Sequence, residues 1–298
     1  MKRIFYFNIT YGCNSNCIFC YSHNTWHNAV SYDEITAEDF FEYLNSKNVT
    51  EGDRVIVNGG EPFLHTEIDD ILLGLIDYRC EVLVYTNGRL ITQHNLSMLT
   101  NRFRFVIPIH GYESIHDSIT CVKGSYNETL NGLVFLSENS NCLVDIKLII
   151  NNRMLAEDYC GEKLIESLNN VPFNNAVHIT KMADTIVSMK NKCPSISNED
   201  ASYYTGLMFK YFKEKNRKIK LFDTCVKGIQ CLKNGKNKKY QDTVVVYFKD
   251  KNQCRQMKLS PKIDACMLKC DYRDKCMSAV AEYKVLEYYN GEIYEDLE

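Results

Sequence analysis

The chain has 298 residues, 45% of them hydrophobic and 24% charged, enough for one large α/β unit with a small appendage. Its net charge of −3 supplies no polyanion-binding field, which excludes a nucleic-acid role unless a local basic patch provides one. The longest apolar runs, such as ILLGLI, fall far short of a membrane span, and the opening MKRIFYFNIT has no signal-peptide pattern, so a cytoplasmic protein with no nucleic-acid or membrane partner is expected.

Strand-like runs are RIFYFNIT (3–10), RVIVNG (54–59), EVLVYTN (81–87), FRFVIPIH (103–110), LVDIKLII (143–150) and AVHITK (176–181). Between them lie amphipathic segments near 36–47, 66–79, 92–101, 125–139 and 154–169, and a further helix is predicted near 198–216. Thr36 with Asp39 three residues later reads as a helix start of the capping-box kind. Regular strand–helix alternation predicts right-handed crossovers and a parallel sheet. Six units fit a partial (β/α)6 TIM-type barrel rather than a closed eight-fold one. Such folds place their chemistry at the C-terminal strand ends. There the sequence puts a Cys cluster after the first strand, NGGEP after the second, TNG after the third and IHG after the fourth.

Near residue 218 helix periodicity gives way to Cys-rich loop sequence. The expected boundary separates a barrel over 1–217 from a small Cys-rich α+β extension over 218–298. Within the extension, TVVVYFKDKNQCR reads as a strand, a KDKN turn and a return strand. The run KNGKNKK (233–239) reads as a solvated loop.

Fourteen cysteines in a chain with no export signal point to metal or redox chemistry rather than disulfides. Cys80, Cys121, Cys142, Cys160 and Cys193 are scattered and read as small hydrophobes in or near the core. The others cluster. In CNSNCIFC, Cys13, Cys17 and Cys20 are one ligand short of a closed tetrahedral zinc site. His23 or His27 would complete a zinc site; alternatively, three thiolates hold a [4Fe–4S] cluster with its fourth iron open.

Cys-x3-Cys-x2-Cys after a first strand, with Phe19 before the third Cys, resembles the radical S-adenosylmethionine (radical SAM) superfamily. GGEP (59–62) and YTNG (85–88) extend the resemblance over about residues 3–180. The resemblance implies an enzyme whose open iron is chelated by the amino and carboxylate groups of S-adenosylmethionine. An electron from the cluster then cleaves the sulfonium to a 5′-deoxyadenosyl radical. It also implies cofactor-binding roles: Gly59, Gly60 and Glu61 beside the methionine part, Phe19 against the adenine, Thr86 and Asn87 near the ribose or carboxylate, and His110 at the rim. Turn roles for Thr86 and Asn87 and a structural role for His110 stand beside these.

The tail thiols Cys225, Cys231, Cys254, Cys266, Cys270 and Cys276 resemble the SPASM or twitch extensions of peptide-modifying members, which hold auxiliary [4Fe–4S] clusters. Six thiols imply one auxiliary cluster, with the leftover thiols free or completing an incomplete second; a structural zinc is the alternative. A free tail thiol would also be able to donate a hydrogen atom to a carbon radical. The segment HDSITCVKGSYNETL (116–130) is similar to one in the same relatives. The favoured function is hydrogen abstraction from a residue of a ribosomally made peptide, giving epimerisation, a thioether or a carbon–carbon crosslink. With the cluster starting at residue 13, no leader-recognition module is expected ahead of it. The alternatives are radical chemistry on a small molecule, such as a sugar, nucleoside or antibiotic, and a non-catalytic iron–sulfur protein. A flavodoxin or ferredoxin-type electron donor is the implied partner.

Overall fold

Seven strands lie side by side in chain order, all parallel: β1 (Arg3–Asn8), β2 (Arg54–Asn58), β3 (Glu81–Tyr85), β4 (Phe103–Ile109), β5 (Leu143–Ile150), β6 (Ala176–Lys181) and β7 (Lys218–Phe222). This computed structural model describes residues 3–20, 34–158, 160–182 and 188–222 with their side chains, 186–187 as backbone, and five later strands as backbone. Those five are β8 (Asn237–Lys239), β9 (Val244–Phe248), β10 (Cys254–Met257), β11 (Lys284–Tyr289) and β12 (Glu292–Leu297). β9 runs parallel beside β1 and carries β10 antiparallel on its outer side. β11 joins β7 antiparallel, followed by β12 and β8. The sheet is open.

The helices are α1 (Ala37–Ser46), α2 (Ile68–Tyr78), α3 (Glu113–Thr120), α4 (Ser125–Asn139), α5 (Asn152–Glu157), α6 (Glu162–Leu168), α7 (Ile186–Lys190) and α8 (Asn198–Glu214). Among the described residues no helix is long and apolar enough to cross a membrane. Alternation along the strands sorts their two faces. Phe5, Phe7, Val55, Val57, Val82, Val84, Phe105, Ile107, Val144 and Ile146 join one core, in which α1 buries Phe40 and Leu44 and α2 buries Ile71 and Leu72. The alternate residues Tyr6, Asn58, Tyr85, Val106, Lys147 and Thr180 point to the other, inner face.

The six predicted strands are all present, and the predicted hairpin after residue 243 appears as β9 and β10. Thr36 caps α1, its hydroxyl accepting from Asp39 N at 3.1 Å. Several expectations fail for local reasons. The helix expected over 92–101 is a single 3-10 turn, Ile91–Gln93. Asn95 Oδ1 accepts from Ser97 N and Oγ, 3.2 and 2.8 Å, a local turn that competes with the helix. The helix expected over 154–169 is broken into α5 and α6. Asp158 caps the second piece, accepting from Lys163 N and Leu164 N, and Gly161 takes φ +68°. Cys121 and Cys160 are exposed, whereas Cys80, Cys142 and Cys193 are buried as expected; the exposed pair sit in connections at helix ends.

β7 is a seventh parallel strand where a Cys-rich loop was expected, so the sheet runs on past residue 217. Its alternation is masked in the sequence by Lys220, a buried lysine whose ammonium lies 3.7 Å from Asp145. Asp145 also meets His178 Nε2 at 2.6 Å and accepts from Ala176 N at 2.9 Å. Burial alone would push this carboxyl up, but Lys220 and His178 hold it far below the usual carboxylate range.

Candidate functional site

The loop after β1 carries the three thiols and is held from two sides. Asn16 N and Ile18 N donate to the carbonyls of Thr120 and Ile119, both at 2.9 Å, so the end of α3 carries the loop. From the sheet side, Gly60 N donates to Thr10 O at 2.9 Å and Glu61 N to Gly12 O at 2.8 Å. This crossing is the physical reason for two glycines. A Cβ on Gly59 would sit 2.6 Å from Thr10 O, and one on Gly60 would overlap the Gly12 carbonyl. The expected closeness to a ligand is preceded by closeness to the thiol-bearing loop itself.

Cys13, Cys17 and Cys20 all line one cavity of about 320 Å³ on the inner face, together with Phe19, Gly59, Gly60, Thr86, Asn87 and His110. Nine of the ten residues assigned to the first site from the sequence therefore line one cavity. The tenth, Glu61, is completely buried behind it. Glu61 Oε1 accepts from Thr86 Oγ1 at 2.6 Å and Phe63 N at 3.1 Å, and Oε2 accepts from Asn87 N at 2.7 Å. Burial nevertheless pushes its carboxyl up, against those donated bonds. Glu61 thus ties the second-strand loop to the third, and Thr86 and Asn87 have turn roles as well as places on the cavity wall.

The electrostatics fit a metal-binding cradle. Burial pushes the Cys13 thiol up to about 11 and Cys17 higher still, and the nearby Cys20 adds to the penalty on both thiolates. A bound cation is what makes such clustered thiolates affordable. Among the described residues, no three His, Cys, Asp or Glu side chains are placed to hold one metal ion. A cubane, by contrast, takes each thiolate at a separate corner. His23 and His27, the candidate completing ligands for zinc, lie outside the described residues.

His110 stands edge to face with Phe19, which lies between Cys17 and Cys20 on the thiol loop, ring centroids 5.2 Å apart. Its Nδ1 is buried and has no hydrogen-bond partner among the described residues. Burial, then His116 and Lys147, hold its imidazole well below the usual range, and burial lowers His116 to about 4. Both rings are neutral at neutral pH. A buried ring nitrogen without a partner is a place where a water, an ion or a ligand could bond.

Several functional candidates were not singled out in the sequence. Lys147 and Lys181 line the cavity, and no described carboxylate does. Arg89, one residue beyond the TNG turn, reaches the thiol loop. Asp117 organises the turn between α3 and α4: it accepts from Gly124 N (2.6 Å), Ser125 Oγ (2.8 Å) and Tyr126 N (2.9 Å). Burial raises its carboxyl, but the donations from Tyr126 and Gly124 outweigh this and hold it below the usual range. Asp117→Ala is expected to cost about 1 kcal/mol at pH 7, as for a lost helix cap. A depressed carboxylate stabilises above its unfolded pKa and loses that contribution as pH falls through the folded one. Urea unfolding at pH 7 and pH 3 checks this, the gap between variant and parent closing at the lower pH.

Of the tail thiols, Cys254 is the first residue of β10. Cys225, Cys231, Cys266, Cys270 and Cys276 lie outside the described residues.

Residues 7–152 match the model of the radical SAM superfamily. The chain is 25% identical over 226 residues to an AdoMet-dependent heme synthase of Methanosarcina barkeri, covering 75% of this chain and 62% of that one. It is 30% identical over 145 residues to the antilisterial bacteriocin subtilosin biosynthesis protein AlbA of Bacillus subtilis, covering 45% of this chain and 30% of that one. The fold is similar to that of Streptococcus suis SuiB bound to its precursor peptide SuiA, with a TM-score of 0.55, 15% identity, and coverage of 72% and 46%. The chain therefore spans less than two thirds of the length of these relatives.

Proposed function

From the radical SAM domain that residues 7–152 form, we propose that this chain is an enzyme that holds a [4Fe–4S] cluster on Cys13, Cys17 and Cys20 and binds S-adenosylmethionine beside it. The observation that carries the reading is the shared cavity: three thiols, the Gly59–Gly60 cradle and His110, whose Nδ1 has no hydrogen-bond partner among the described residues, all line it. When bound, the pair supplies reductive cleavage of the sulfonium and a 5′-deoxyadenosyl radical that takes a hydrogen atom from the substrate. The protein supplies placement and shielding. Phe19 and His110 offer a ring edge and a neutral ring nitrogen to a nucleoside, and Glu61 braces the loops carrying Gly60 and Asn87. Cys225, Cys231, Cys254, Cys266, Cys270 and Cys276 form an auxiliary iron–sulfur unit within 218–298, and a flavodoxin or ferredoxin-type protein delivers the electron.

The substrate is a residue of a ribosomally made peptide, a reading supported by the likeness to a bacteriocin biosynthesis protein. The longer match to a heme synthase favours a second reading, a small molecule. Incubating the anaerobically reconstituted chain with S-adenosylmethionine, dithionite and either class of substrate separates them. Deoxyadenosine release is expected to rise with a peptide substrate, because a reactant held beside the reacting group lowers the barrier. Stimulation by small molecules alone overturns the peptide reading.

A further inference from the structure

Arg89 is unusual in where its two ends of charge lie. Its side chain is 10% exposed, and Nη1 donates to Asn14 O at 2.6 Å and Ser15 Oγ at 3.1 Å, both between Cys13 and Cys17. Its Nε meets Glu128 Oε2 at 2.5 Å, and Glu128 is 48% exposed. The cation therefore lies inward against the thiol loop, while its counter-ion lies outward in water. Charge inside acts through a low dielectric and charge outside is screened, so the pair does not cancel as felt from the cavity. The same loop is gripped a second time by Asn87, whose Nδ2 donates to Asn14 Oδ1 at 2.6 Å. Asn87 is in turn held by Thr129, which donates to its carbonyl at 3.0 Å. Asn87 thus grips the loop without charge, and Arg89 grips it with charge.

We propose that Arg89 is a positioning residue that fixes the thiol loop and, through a charge only partly offset by Glu128, raises the reduction potential of the cluster held by Cys13, Cys17 and Cys20. Reduction adds one electron, and so one negative charge, to the cluster, while the external one-electron donor is oxidised; a nearby inward cation stabilises the product of that step. The inference rests on the reading of the first site given above.

The test is a redox titration of the full chain, reconstituted without oxygen and followed by electron spin resonance. The first-site signal is identified as the one missing when Cys13, Cys17 and Cys20 are replaced by Ala. In Arg89→Gln the ratio of reduced to oxidised cluster at a fixed potential is expected to fall about tenfold, which is about 59 mV for a one-electron couple. Arg89→Lys restores most of that ratio, and Glu128→Gln moves it the opposite way by exposing the cation. Unchanged potentials in Arg89→Gln and Glu128→Gln, or shifts of the same sign, overturn the inference. If Arg89→Gln fails to retain its cluster, Glu128→Gln decides alone, and the absence of an upward shift overturns the inference. Absence of any first-site signal in the parent protein would instead overturn the cluster reading itself.

Discussion

Replacing Cys13, Cys17 and Cys20 together by Ala is expected to remove about four irons per chain, one cubane's worth, and to bring deoxyadenosine release down to background. Any one of the three substitutions should act almost as strongly, because a cube held at three corners has no spare ligand. Among the described residues no carboxylate lines the cavity as a replacement donor, and Glu61, the acid closest in sequence to the cradle, is already engaged by Thr86, Asn87 and Phe63. Iron and sulfide analysis of anaerobically reconstituted protein checks the result. Irons that remain after the triple substitution report on the tail thiols. An unchanged iron content, or continued deoxyadenosine release, would sink the assignment.

The second large effect is expected at Gly60. Its Cα lies so close to the backbone of Tyr11 and Gly12 that an added methyl overlaps the Gly12 carbonyl, and no side chain can swing aside to relieve it. Relief requires moving the Thr10–Gly12 segment, which breaks the hydrogen bonds from Gly60 N and Glu61 N. Gly60→Ala is therefore expected to destabilise by about 3 kcal/mol, the upper part of the range for overpacking. It should also lower turnover about 100-fold through displacement of the thiols. Gly59→Ala meets its nearest backbone atom at 2.6 Å and should be milder. Denaturant midpoints and deoxyadenosine release on the same preparations test both. A Gly60→Ala protein with parental stability would show that the crossing is looser than drawn.

The strands and thiols were legible in the sequence because each has a short-range signature: apolar runs of the right length and three cysteines within eight residues. Sites at strand ends were legible for the same reason, and Gly59, Gly60, Thr86, Asn87 and His110 do meet in one cavity. What escaped notice depends on partners far along the chain. β7 was hidden because Lys220 looks like a surface residue until Asp145, on β5, is brought beside it. Arg89 carries no signal of its role until folding sets it against Asn14, 75 positions earlier. The closeness of Gly60 to Gly12 is likewise a property of two loops together. The lost helix after residue 91 shows the opposite failure, in which apolar periodicity was real but Asn95 closed a local turn first.

The neighbours of β1 bear on any shortening of the protein. β1 pairs through Ile4–Asn8 with β2 on one side and, on the other, through Arg3–Phe7 with Val244–Phe248 from far down the chain. A protein ended before Val244 would keep every residue of the first site yet leave that flank of β1 as a bare row of amide and carbonyl groups. Such a rim invites sticking to other molecules, and it belongs to the strand that leads straight into the thiols. Activity lost on cutting away the tail would therefore not, by itself, show that the tail takes part in the chemistry.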